Sequence, residues 1–280
     1  MPPQAAAPDG LVQLAQLADG SGLELFGLMD HPHQGAVMDS WSTLAVIAAR
    51  TRRVRLFPDV AHLPLRPPAV LAKAAATVDL LSGGRVELGI GAGAVEGRQL
   101  GAPELTPGEA VAALAEGIDV IRLMWTPGDA PVDYPGTHHR LVGAEPGPAP
   151  AHPISIWVGA YQPRMLSLTG RLADGWLPSY PFVDPAGLPA LNKRVDEAAY
   201  EAGRQPGDVR RLYNIMGSVT PGGKALFNEG PETWIERLTE LVLTCGVSAL
   251  VLAPVTDPAR QIQVYAEEIA PAVREAVARG

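Results

Sequence analysis

Three of the six histidines in this 280-residue chain fall in two short stretches, Asp30-His31-Pro32-His33 and Asp59-Val60-Ala61-His62. An Asp beside a His is a pair that can move a proton, because imidazole titrates near neutrality and reaches a reacting atom directly. The same residues read equally as a turn cap next to a packed ring, and on residue type alone both readings stand. A metal is not expected. The two rings of His31-x-His33 diverge on an extended segment, and no third ligand has a defined spacing. His138-His139 falls in an irregular stretch and reads as solvated loop.

Gly89-Ile90-Gly91-Ala92-Gly93 has the outline of a dinucleotide fingerprint. A true fingerprint opens directly into a helix that holds pyrophosphate. Here Gly97, Gly101, Pro103 and Pro107 intervene, so these glycines imply either backbone running close beneath something flat or a tight corner. The run Trp157-Val158-Gly159-Ala160-Tyr161-Gln162-Pro163-Arg164-Met165 ends a strand, turns at Gly159 and starts a helix at Pro163. Free N–H groups at Tyr161 and Gln162, with Arg164 in the first turn, suit a phosphate. An ordinary strand-to-helix connection is the other reading. A Schiff-base enzyme is not expected, since Lys73 and Lys193 fall in helical stretches and Lys224 in a glycine-rich loop.

These residues need elements to hold them. Apolar periodicity predicts helices over 9–18, 41–50, 67–81, 108–125, 163–172, 185–203, 231–245 and 258–278. Strand-like runs fall at 23–29, 54–60, 85–90, 154–158, 175–177, 211–219 and 248–253. Strict alternation predicts a parallel sheet clothed in helices, in one domain over residues 1–280. Eight such units close a TIM-type barrel. Seven strands after a leading helix leave the N-terminal strand missing or replaced, and an open doubly wound sheet is the structural alternative. Residues 126–152, with six Pro and three His, form an irregular insertion with room for a hairpin around 132–141.

Composition narrows the partners. Basic residues number 22 against 30 acidic ones, a net charge of −8, which excludes a nucleic-acid stripe and disfavours an anionic membrane surface. No apolar run approaches the roughly 18–20 residues of a membrane span. The single thiol, Cys245, calls for no oxidising compartment. The opening MPPQAAAPDG lacks the pattern of a signal peptide, so the expectation is a cytoplasmic protein.

Three segments, TLAVIAARTRRVRL (43–56), LPLRPPAVLAKAAATVDLLSGGRVELGIGAGA (63–94) and PISIWVGAYQPRMLSLTGRLADGWLPS (153–179), resemble the bacterial luciferase-like family of flavin- or deazaflavin-dependent oxidoreductases. The resemblance covers about residues 9–250. It implies a (βα)8 barrel with FMN or F420 at the C-terminal ends of the strands. It implies that His31 is the catalytic acid/base beside the reactive ring, with Asp30 next to it. Asp59-Val60 matches a strand end that in many members holds a non-proline cis peptide. His62 joins the implied cofactor contacts, Ala92 and Gly93 match backbone flanking the ring, and Tyr161, Gln162, Arg164 and Met165 match the phosphate-binding turn and helix start. One departure stands out. F420-dependent sugar-phosphate dehydrogenases of the family carry a Glu directly after the glycine loop, where this chain has Ala94, with Glu96 two residues on. The implied reaction is FMN-dependent monooxygenation or F420-dependent hydride transfer on a small organic substrate. The implied partners are a separate flavin or F420 reductase and a second copy of the chain in a homodimer. A non-catalytic flavin-binding protein on the same barrel is the alternative.

Overall fold

Strands and helices alternate through most of the chain, with short strand pairs between some of the helices. A computed structural model describes every residue except Pro3, Ala94 and Asp129, and leaves out the side chains of Val95 and Glu96. In order, the elements are α1 (Pro8–Gly20), β1 (Leu25–Leu28), α2 (Ser40–Arg50), β2 (Arg55–Pro58), β3 (Ala61–His62), α3 (Pro68–Ser82), β4 (Leu88–Gly91) and α4 (Pro107–Trp125). Then follow β5 (Val132–Pro135), β6 (Arg140–Ala144), β7 (Ile156–Val158), α5 (Pro163–Leu172), β8 (Gly175–Trp176), β9 (Ser179–Tyr180) and α6 (Leu188–Glu201). The chain closes with β10 (Arg210–Gly217), β11 (Lys224–Ala225), β12 (Asn228–Glu229), α7 (Pro231–Cys245), β13 (Ala249–Pro254), α8 (Pro258–Val264) and α9 (Ala270–Arg279). A π turn, Tyr265–Ile269, joins the last two helices, so the helix expected over 258–278 runs on with one wider turn.

The sheet is parallel in the order β3-β4-β7-β8-β10-β13, with β9 also beside β10. β1 and β2 form a parallel pair that joins this sheet through Leu56, whose N–H donates to Arg85 O (2.7 Å) and whose carbonyl accepts from Glu87 N (2.9 Å). The result is a curled parallel sheet with helices outside. Among the described residues no backbone hydrogen bond links β1 to β13, and a cavity of about 310 Å³ lies in that seam. The seam is where the expected opening strand would run. Met1 occupies one rung of it, its ammonium donating to Gly27 O (2.8 Å) and its carbonyl accepting from Met29 N (3.0 Å).

Strand periodicity explains the interior. Phe57, Trp157, Leu177 and Leu212 point inward and close a buried plug, with the Phe57 and Trp157 rings edge-on at 5.1 Å. Gly175 makes room for this plug, because a Cβ there would stand 2.5 Å from the Trp157 ring. At the opposite end from the mouth, the segment 79–87 is scaffold. Buried Asp79 accepts from the N–H groups of Val86 (3.0 Å) and Ala151 (2.8 Å), and Arg85 donates to Ala48 O (2.7 Å) in the last turn of α2 and to Val54 O (2.9 Å) just before β2.

The insertion at 126–152 holds the β5–β6 hairpin, where the sequence leaves room for one, and its turn is bonded to Glu116 of α4. The β11–β12 hairpin was not expected, because its turn places Phe227 at φ 58, where a Gly or Asn is the usual signal. No helix among the described residues is long and apolar enough to cross a membrane.

Candidate active site

Asp30 follows β1 into the rim and is buried. Its Oδ1 accepts from Ser40 Oγ (2.7 Å) and Arg66 Nη2 (3.0 Å), and its Oδ2 accepts from the His62 N–H (2.9 Å) and Arg66 Nη1. Arg66 Nη2 also donates to Asp39 Oδ1 at 2.8 Å. Burial raises the Asp39 carboxyl, but the Ser42 N–H and Arg66 together hold it below the usual carboxylate range. One guanidinium thus ties together the loop after β1, the cap of α2 and the end of β3. Asp30 acts here as the anchor of the loop that carries His31. The His31 ring is half-buried and stands edge-on to His33 at 5.3 Å.

His62 is buried, with its imidazole against Gly93 and Gly97. Burial lowers its pKa. Asp30 opposes that, and the neighbouring His33, His31 and Arg66 groups add to the lowering, which favours the neutral ring. Gly93 has φ +88, and a Cβ there would stand 2.4 Å from His62 Nε2. The glycines therefore leave a bare ribbon of backbone whose inner side is filled by an imidazole. Ala94 and the Glu96 side chain lie outside the described residues.

The Asp59-Val60 peptide is cis. Asp59 turns into the barrel, where Asn214 Nδ2 donates to its Oδ1 (2.8 Å) and to Ser179 Oγ (3.0 Å). Burial raises the Asp59 pKa against the opposing pull of the Met1 ammonium and the Asn214 amide. The Val60 side chain faces Gly91 and Gly159, where added Cβ atoms would stand 3.0 Å and 3.4 Å from it. Val60 therefore touches both the strand leading into the glycine ribbon and the strand leading into the next turn.

That turn runs through Ala160, Tyr161 and Gln162 into α5. Gln162 is the N-cap, yet its side chain makes no capping bond, and Pro163 supplies no N–H. The next N–H groups, those of Arg164 and Met165, point out of the helix start towards the rim. The Arg164 guanidinium lies beside Gly108 in the first turn of α4. The Tyr161 ring is exposed and stacks on Phe182, with centroids 6.1 Å apart and planes within 10°. The backbone of this turn is thus left for an anion, while its side chains build an aromatic rim. A bare ribbon beside an uncapped helix start is what FMN or F420 needs, a surface for a flat ring and N–H groups for a phosphate.

The structure brings Asp30, His62 and Gly93 together, and Val60 links Gly91 to Gly159 beside them. Arg66, Asn214 and Ser179 were missed from the residues alone. A polar Asn at an inward position of the apolar run RLYNIMG was the available signal. The reading of His138-His139 as solvated loop is corrected. Both residues are half-buried, because Glu116 accepts the N–H groups of Thr137 (3.0 Å), His138 (2.7 Å) and His139 (2.9 Å).

A family model described as luciferase-like monooxygenase matches residues 1–226. The F420-dependent glucose-6-phosphate dehydrogenase of Nocardia farcinica is 31% identical over 262 residues, covering 90% of this chain and 74% of that enzyme. The phthiodiolone/phenolphthiodiolone dimycocerosates ketoreductase of Mycobacterium kansasii is 37% identical over 213 residues, covering 75% of this chain and 57% of that protein, so the chain spans little more than half of the ketoreductase. Among solved structures, an F420-dependent secondary alcohol dehydrogenase superposes with a TM-score of 0.85 at 20% identity, covering 97% of this chain and 96% of that one. The F420-dependent tetrahydromethanopterin reductase of Methanopyrus kandleri superposes with a TM-score of 0.82 at 20% identity, covering 94% and 95%. At these identities the structural likeness establishes the fold. It is the expected TIM-type barrel, left open along one seam.

Proposed function

Because the chain belongs to the luciferase-like monooxygenase family, we propose that it is an F420-dependent oxidoreductase that exchanges a hydride with a small alcohol or carbonyl compound. The observation that carries the choice of F420 is the 31% identity, over 262 residues, to an F420-dependent dehydrogenase. Bound F420 supplies a two-electron hydride carrier in which molecular oxygen takes no part. The chain supplies binding, orientation and a proton. The N–H groups of the turn at 160–162 and of the first turn of α5, with Arg164, hold a phosphate. Ala92, Gly93 and Val60 present backbone and one small side chain to the ring. His31 takes the proton from the substrate oxygen on oxidation and returns it on reduction. The Asp30–Arg66 clamp fixes the loop that carries His31. A separate F420 reductase and a second copy of the chain belong to the same proposal.

Fluorescence titration with F420 and with FMN tests it. F420 is expected to bind, and His31→Ala to leave that affinity within about twofold while lowering turnover about 100-fold or more. Binding of FMN in place of F420 overturns the hydride reading in favour of monooxygenation. Tight F420 binding with no turnover of any alcohol or ketone tried points to the non-catalytic binding protein.

A further inference from the structure

Asn214 is a buried amide in the middle of β10, and hydride transfer as described gives it no task. Burying an amide in a largely apolar strand costs stability unless its groups are bonded. The amide nitrogen carries two N–H groups. It has two acceptors, Asp59 Oδ1 (2.8 Å) and Ser179 Oγ (3.0 Å).

Each acceptor opens a different part of the mouth. Asp59 immediately precedes Val60. The Val60 side chain lies in a slot cleared by Gly89, Gly91 and Gly159, where added Cβ atoms would stand 3.2, 3.0 and 3.4 Å from it. The dipeptide is therefore fastened on two sides. Val60 rests against β4 and the residue after β7, and Asp59 is tied to β10, which β7 and β8 separate from β4 in the sheet. Without the second fastening, nothing polar on β10 sets how far Val60 stands into the mouth.

Ser179 opens the segment that carries Phe182. Val183 N–H donates to Ser179 O (3.0 Å) and closes 179–183 into one turn, and Tyr213 Oη donates to Val183 O (2.6 Å). Asn214 N–H also donates to Pro178 O (2.9 Å). This turn is docked on β10 by backbone and side chains alike, and it brings Phe182 onto the ring of Tyr161, in the connection read as the phosphate site. A cofactor seat is only as well placed as the groups behind it.

We propose that Asn214 is a positioning residue for the cofactor, one amide that sets both Val60, the seat of the ring, and the Phe182–Tyr161 pair beside the phosphate turn. This role rests on the reading of the mouth as an F420 site. It adds that the two ends of that site are aligned through a single side chain on β10.

The test uses the full chain and three changes at one position. Asn214→Leu keeps the bulk and removes both donors, Asn214→Gln keeps the amide one methylene further out, and Asn214→Ala serves where the Leu variant does not fold. NMR without cofactor follows the Val60 methyls and the Phe182 and Tyr161 rings, and fluorescence titration reads F420 affinity at a temperature where circular dichroism shows each variant folded. Asn214→Leu is expected to move both sets of resonances and to weaken F420 binding about fivefold or more, and Asn214→Gln to recover part of that loss. A cycle with Asp59→Ala should be non-additive, the double variant losing at least about threefold less than the product of the single losses. Unmoved Val60 methyls in the Leu variant, F420 affinity within about twofold of the parent, a Gln variant no better than Leu, or an additive cycle would each overturn the role and leave the F420 reading standing. A parent chain that does not bind F420 overturns that reading, and this role with it, so the two failures are told apart by the parent titration.

Discussion

Removing the guanidinium of Arg66 should be among the most damaging single changes near the mouth. The Asp30 side chain is 1% exposed and that of Arg66 18%, so Arg66→Ala strands a carboxylate in the interior. Breaking a buried ion pair from one side costs about 3–5 kcal/mol. Asp30 keeps the Ser40 hydroxyl and the His62 N–H, which places the expected loss at the low end, about 3 kcal/mol. For a chain of this size that is roughly a 6 °C fall in Tm. Equilibrium urea unfolding gives the free energy directly, and a double-mutant cycle with Asp30→Asn isolates the pair, with a coupling of about 1.5 kcal/mol or more expected. Arg66→Lys keeps the charge but not the two-pronged contact, and should fall between. If Arg66→Ala unfolds within about 0.5 kcal/mol of the parent, or the cycle closes near zero, the clamp does not hold the loop and the reasoning fails.

Two further outcomes follow from the same rim. Gly93→Ala forces a side chain into φ +88 and against His62 Nε2, and should lose about 1–3 kcal/mol of stability together with F420 affinity, read by urea unfolding and fluorescence titration. At Glu116 burial pushes the carboxyl up, but the N–H groups of His139, His138 and Thr137 outweigh it and hold the pKa below the ordinary glutamate value. A depressed carboxyl contributes stability that is complete above its unfolded pKa and is lost as pH falls through the folded one. Hydrogen exchange at 137–139 should therefore quicken only in acid below the normal glutamate range, and Glu116→Gln should make it fast already at neutral pH.

Legibility of the fold followed contact distance along the chain. Helix α4 and strand β10 were readable because their apolar periodicity and their Pro and Gly borders are local. The cis bond at Asp59-Val60 was reached through family resemblance, since no residue type there encodes it. What stayed hidden depends on partners brought together by register. Asp30 and Arg66 are 36 residues apart, and Asp59 and Asn214 are 155 apart. His138-His139 looked exposed because the carboxylate that pins it sits more than 20 residues earlier, on another element. The polar trio Asp59–Asn214–Ser179 joins the turn after β2 to β10 and β9, and Asp59 reaches the other two only once the sheet has curled.

A hoop with a cut in it can be sprung, and a continuous one cannot. None of the six residues of β13 is fully buried, and among the described residues this strand is laddered on one side, to β10. On the two sides of the cut, Leu25 and the pair Ala249 and Val251 each pack against the buried Phe57–Trp157–Leu177–Leu212 plug, and the two backbone bonds of Met1 fasten to the β1 side. Widening the ring at this place slides apolar surfaces past one another and parts no interstrand ladder. A bulky guest entering from above can therefore be accommodated by spreading the two lips, while the strands under the glycine ribbon keep their pairing.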